Sequence, residues 1–419
     1  MKLIKNLKII VSITLVILFV LAILITINLS LIPRDNNVNN FDDENLRTAT
    51  VSEKIHIINN SGWVDFRNAG NCTGSGTYSD PYIIKDLEID GGSSGTSIFI
   101  ENTNVYFKIE NCTLYNTEWG SEAGIGLLNV NNSQLIDNDC SYSQIGIVLG
   151  NVSDYGGGCN NNTITGNIVN NNRGGMYLFD SYNNTLSGNT ANNNTWSGIY
   201  LVGSNYTVVS GNTMKDNKMC GINIGWGHNN FIVSGNIISD NQMQGLWMDE
   251  SFNNTISGNM MNNNKWSGIC LIDSKYNIIS GNTALNNKEC GILFFENSDY
   301  NTISGNTAND NEFGIYLFKS SDYNTISGNT ANNNKYGIIL SSSRYNTISG
   351  NNLIGNDECI VEVNCQGNVI QYNECTITTS LVYFPIILTI SIPILGISVF
   401  IIYQNHKRFR KPQEDLEFL

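Results

Sequence analysis

A unit whose clearest copy reads NTISGN returns every 22–24 residues through the middle of this 419-residue chain. Its glycine falls at Gly166, Gly188, Gly211, Gly235, Gly258, Gly281, Gly305, Gly328 and Gly350. A second mark, glycine followed by an apolar residue, keeps the same step at Gly198, Gly221, Gly245, Gly268, Gly291, Gly314 and Gly337. A period of this length held in phase over nine units specifies a solenoid, in which each repeat buries its apolar face only against its neighbours.

The units are built from short runs of Val, Ile, Thr and Tyr, cut by Gly and Asn every few residues. None carries ten residues of 3.6-residue apolar spacing, so several short strands per turn are expected rather than a strand and a helix. Three strands joined by turns would close one coil, and successive coils would pair as parallel strands ~4.8 Å apart. The columns agree. Two residues before each NTISGN glycine stand Ile164, Leu186, Val209, Val233, Ile256, Ile279, Ile303, Ile326 and Ile348, an aliphatic stack fit for a core. One residue after is an Asn column running from Asn167 to Asn351, and six residues after is another running from Asn172 to Asn356. Asn tolerates the left-handed turn conformation, and its amide can bond the next Asn along a stack, so both columns read as structural ladders.

With these residues in view, the NTISGN…N…GI unit resembles the repeat of the NosD-like, or CASH-type, right-handed parallel β-helix family. The stretch GSGTYSDPYII, from Gly74 to Ile84, is similar to the segment leading into the helix of many such surface proteins, archaeal ones especially. The resemblance covers roughly residues 74–375 and implies a scaffold and its right-handedness rather than an activity. The family takes its name from an accessory protein of copper-site assembly. The fold class expected is all-β: one right-handed parallel β-helix of about twelve coils spanning 83–375, an N-terminal cap at 55–82, and flanking transmembrane helices.

Those helices are expected at the two apolar ends. Residues 1–32 contain an almost unbroken apolar run from Ile9 to Ile27 behind Lys2, Lys5 and Lys8, which reads as a signal anchor or signal peptide. Residues 381–403 carry no charge, and the tail 404–419 begins with Lys407, Arg408, Arg410 and Lys411. Basic outer flanks put both ends in the cytoplasm and the repeats outside the cell, tethered to its membrane. Residues 33–54 read as a polar linker.

A net charge of −14 with no basic stripe excludes nucleic-acid partners, which need a basic surface. The ten cysteines show no CxxC pair, and their even number permits disulfides whose pairing the spacing leaves open. Sequons such as Asn59, Asn71, Asn111, Asn131, Asn151 and Asn205 are weak signals in so Asn-rich a chain.

No catalytic constellation stands out, so the chain is expected not to be an enzyme and to need no cofactor. The only acidic pairs a solenoid could stack are Glu289 with Glu312, one coil apart in some registers, and Asp216 with Asp240. Met219, Cys220 and Met243, with His228 nearby, form a weak soft-metal alternative, but their column continues as Trp266, Glu289, Phe313 and Tyr336, which suits packing better. Tyr206, Tyr276, Tyr300, Tyr323 and Tyr345 all lie five residues before a repeat glycine and are the candidate binding residues, as an aromatic row for sugar rings. The reading is a membrane-anchored, non-catalytic scaffold that binds carbohydrate or a cell-envelope protein, with a polysaccharide-modifying enzyme or a copper-handling accessory protein as alternatives.

Overall fold

The computed structural model describes residues 50–117, 122–152, 156–227 and 229–377. Each coil gives one strand to each of two 13-stranded parallel sheets. Sheet I runs from Ile55–Ile58 to Glu358–Val363, and sheet II from Tyr82–Lys85 to Val369–Gln371. A third wall, sheet III, consists of shorter ladders such as Thr213–Lys215, Ile237–Ser239 and Met260–Asn262, continued by isolated bridges.

One coil shows how the sequence makes the turn. Thr255–Ser257 lies in sheet II, Gly258 bends left-handed, Met260–Asn262 lies in sheet III, and Asn263 bends again. Ile269–Ile272 then enters sheet I, after which Asp273 and Tyr276 take left-handed conformations before the next sheet II strand at Ile278–Ser280. Period-2 alternation places Ile256 inward, and it pairs in register with Ile279, as Ile279 does with Ile303 and Ile303 with Ile326. These residues join the main buried core, so the expected aliphatic stack forms coil upon coil.

Each left-handed bend turns backbone polar groups inward, where an unpaired group is costly. Buried Asn side chains answer that demand. Asn282 donates from its backbone N–H and its Nδ2 to Asn306 Oδ1 at 2.9 and 3.0 Å, and from Nδ2 to Ile256 O at 2.8 Å. Asn287 repeats the pattern with Asn311 and Met261 O. There are three such ladders rather than two: Asn277 bonds Asn301 and Ser251 O at the corner between sheets I and II. That third column is broken by Thr207 and Phe231, which hides it in the sequence. The second glycine column has an equally plain cause. A Cβ on Gly314 would lie 2.4 Å from the Gly337 carbonyl oxygen and 2.8 Å from Ala331 Cβ, so the bend closes only around a hydrogen.

The expected architecture needs two corrections. Thirteen coils form rather than about twelve, because Ile55–Ile58, placed in the cap from sequence, pairs with Ile98–Thr103 as the first strand of sheet I. The capping element is the helix Asn59–Asn68, whose Trp63 is fully buried, stacked 5.1 Å from Tyr82 and packed 4.7 Å from Phe107. The flanking transmembrane helices are not supported. No described helix is long and apolar enough to cross a membrane, and the one that forms has 10 residues, about 15 Å against ~30 Å of hydrocarbon. The apolar runs within 1–32 and 381–403 lie outside the described residues. Of the ten cysteines, Cys359 and Cys375 form a disulfide across the last coil, with Cα atoms 5.9 Å apart.

Two tests follow from the ladders and the disulfide. Asn306→Ala removes the acceptor for Asn282 and the donor to Ile279 O, and is expected to cost about 3 kcal/mol in urea unfolding. An unchanged midpoint would show the ladder to be ornamental. Cys375→Ser releases a closed loop worth about 3 kcal/mol, so amide exchange should rise over 369–377 while amides near Asn282 stay protected.

Candidate functional site

The outer faces of the two large sheets differ in kind. Strands of sheet II alternate exposed and buried, with Thr and Ser outward, as in Thr302–Ser304. Strands of sheet I are buried on both faces, as in Leu246–Asp249, Ile269–Ile272 and Cys290–Phe295. Their inner residues, Leu246, Met248, Ile269 and Leu271 among them, belong to the core. The outward column follows from the strand register as His56, Phe99, Gly126, Val148, Tyr177, Tyr200, Asn223, Trp247, Cys270, Leu293, Tyr316 and Ile339. These side chains form two apolar clusters outside the sheet, overlaid by half-exposed Trp196, Tyr200, Trp226, Met243 and Phe318. Arg173 places its guanidinium 4.0 Å over the Trp196 ring. The result is an aromatic strip running along the solenoid, of the kind on which sugar rings stack.

Polar groups set into this strip lack protein partners. Asn223 Oδ1, Gln244 Nε2 and Glu289 Oε2 are each buried without a hydrogen bond from the protein. Asn223 alternates with the core residues Ile222 and Ile224, so it faces outward. Buried polar atoms are nearly always satisfied, so these are completed by water or by a ligand's polar groups.

Glu289 is a titratable group beside this face. Burial comes first, and the Glu312 carboxylate second, in pushing its pKa from the ordinary carboxylate range up to about 7, against a smaller opposing effect of Lys288. The bend before sheet I brings the two carboxylates together. Cys290 pairs with Phe313, so Glu312 and not Phe313 follows Glu289 in the column, and Lys335 and not Tyr336 comes next. The reason is length: three residues lie between Asn287 and Gly291 but two between Asn311 and Gly314. Glu312 in turn lies 3.6 Å from Lys335 Nζ. The sequence shows the spacing change, which is the signal that would have fixed this register. Asp216 and Asp240 lie instead at left-handed bends of the sheet III corner, away from the strip.

The other residues singled out from sequence fall as follows. Tyr276, Tyr300, Tyr323 and Tyr345 stack face to face at 5.2, 5.0 and 5.1 Å between successive rings, half-exposed at the corner between sheets I and II. Tyr206 stands apart from them, since Asn230 and Asn253 take that left-handed position on the intervening coils. The stacked rings cover one another's faces and offer solvent their edges and hydroxyls. Met219 and Met243 are on adjacent coils, with Met243 N–H donating to Met219 O at 3.3 Å. Beside them the Cys220 Sγ donates to Gln244 Oε1 at 3.5 Å, and burial pushes its thiol up to about 12, far from the thiolate a soft metal binds. His228 lies outside the described residues. Among the described residues no group of three or more His, Cys, Asp or Glu side chains is placed to hold a metal ion.

Solved structures with the same kind of fold include the periplasmic alginate epimerase AlgG (16% identity, covering 77% of this chain and 84% of that one, TM-score 0.47). Another is the A-module of the Azotobacter vinelandii mannuronan C-5 epimerase AlgE6 (15%, 73% and 89%, TM-score 0.44). A third is PfbA, a surface adhesin of Streptococcus pneumoniae (13%, 69% and 85%, TM-score 0.44). At these identities the likeness concerns the fold alone. No curated protein matches the chain. The sequence-based expectation that the chain is not an enzyme is corrected here. Solved structures with this kind of fold include polysaccharide-modifying enzymes, so the fold does not bear that expectation out, and Glu289 has its carboxyl partly buried with its pKa raised. The family model for the right handed beta helix region matches residues 57–238, 197–353 and 300–383, and with the thirteen-coil solenoid this shows that the chain belongs to the right-handed β-helix family.

Proposed function

We propose that this protein modifies polysaccharide, binding a glycan chain along the aromatic strip of sheet I and using Glu289 for proton transfer. The observation that carries the reading is Glu289 itself: a carboxyl with a pKa of about 7, one coil from a second carboxyl, on an aromatic face with unpartnered polar atoms. A carboxylic acid kept protonated near neutrality can donate to a leaving glycosidic oxygen, while its ionised neighbour attacks or steadies the sugar cation. Adjacent coils stand ~4.8 Å apart, of the order of the carboxyl separation that acid–nucleophile pairs use. Trp196, Tyr200 and Trp226 would hold sugar rings by their apolar faces, and Asn223 and Gln244 would meet hydroxyls. The Cys359–Cys375 disulfide supports an oxidising, extracytoplasmic setting in which such polymers occur.

Incubation with neutral and uronate polysaccharides, with products read by size and NMR, is expected to reveal turnover that Glu289→Gln lowers on the order of 10²-fold or more. Activity that needs protonated Glu289 should fall as pH rises through about 7. Glu312→Gln removes one of the causes raising that pKa, so the falling limb should move to lower pH. Turnover indifferent to Glu289→Gln would refute the assignment. Stability gives an independent check. A carboxyl whose pKa is raised on folding stabilises the fold only at low pH and weakens it as pH rises through 7, so Glu289→Gln should melt higher than the parent at pH 8 and alike near pH 4.

A further inference from the structure

The outward column of sheet I is aromatic or bulky over most of its length, but near the N-terminal end it holds Gly126 between Phe99 and Val148. A recess of about 640 Å³ opens at this point, with Gly126 and Gly150 of the next coil in its lining. A Cβ on Gly126 would come within 3.1 Å of the Phe99 ring and 3.2 Å of the Thr96 methyl, so Phe99 keeps its place in the recess wall only over a bare glycine. One side is the Phe99 ring, with the His56 imidazole stacked 5.1 Å from it. His56 Nε2 lies 2.8 Å from Glu101 Oε1, which orients the ring. Another side carries Glu122, whose buried Oε2 has no protein partner. The floor, Gly126, Leu128 and Val148, is apolar. An apolar floor, a ring wall and a few polar groups directed inward suit one or two sugar units, which carry hydroxyls at the edge and C–H groups on the face.

The recess lies on the outward column of sheet I and the Glu289 pair at the bend beside that column, seven coils apart from Gly126 to Leu293, or roughly 34 Å at the parallel-strand spacing. We infer that the recess is a distal anchoring subsite for the same glycan chain, and hence that the substrate is a long linear polysaccharide rather than a short oligosaccharide. This rests on the strip being a glycan site, but it concerns different residues and a different property. A chain held at two remote points gains affinity because the second contact is intramolecular, whereas a trisaccharide reaches only one.

The test uses the full chain with β-mannan, polymannuronate and polygalacturonate, each offered as polymer and as trisaccharide. For whichever glycan is turned over, Phe99→Ala and Gly126→Leu, the second forcing the Phe99 ring out of place, are expected to raise the polymer's KM about tenfold relative to that of the trisaccharide. Melting temperatures near the parent's would show both variants folded. An unaltered ratio of the two KM values would overturn the anchoring subsite while leaving Glu289 in place. Should no glycan be turned over, the catalytic assignment falls and the subsite is judged by affinity electrophoresis in the same polymers. Retardation of the parent that Gly126→Leu loses would support it, and no retardation of the parent would overturn it.

Discussion

Amides buried at the corners of each coil are what the rest of this molecule depends on. A coil must bend sharply several times in 22–24 residues, and each bend turns backbone N–H and C=O groups inward, away from water. An Asn side chain meets both needs, because its oxygen accepts from the preceding coil while its nitrogen donates to a carbonyl and to the following coil. Stacking thus proceeds one coil at a time with the corner amides paired. It also locks the register. A one-residue slip would break the amide ladders and turn every Ile of the core to the opposite face.

Register fixed by the corners is then handed outward to the faces. On sheet II the outward positions are mostly Thr and Ser and meet water. On sheet I they are mostly aromatic, aliphatic or cysteine and form a second apolar layer outside the wall. The scaffold does not require that layer, since the core is complete beneath it. Functional chemistry in repeat folds is grafted onto such surplus surfaces. The thiols within the layer, Cys270 and Cys290, are driven by burial well above their ordinary pKa, so they act there as small apolar groups.

Much of this was legible from residue spacing. The Ile column, two of the three Asn ladders and the bend glycines follow a rule local to each repeat, so the sequence displays them nine times over. The third ladder escaped notice because Thr207 and Phe231 interrupt it. The tyrosine row was seen as five, yet only four rings stack, because Asn230 and Asn253 stand between Tyr206 and the rest. The alignment of Glu289 with Glu312 turned on a bend one residue shorter, a change that column counting from the glycine carried past. The first coil was mistaken for a cap because a helix is inserted directly after its strand, at Asn59–Asn68.

By itself the sequence determined that the chain is a solenoid, which residues face its core, and where it bends, since each follows from short-range chemistry repeated at a fixed period. Only the tertiary structure decided which outward residues become neighbours and how deeply they are covered. Glu289 shows why. Its affinity for a proton comes from burial and from a carboxylate one coil on, and no local pattern records how much water is excluded there.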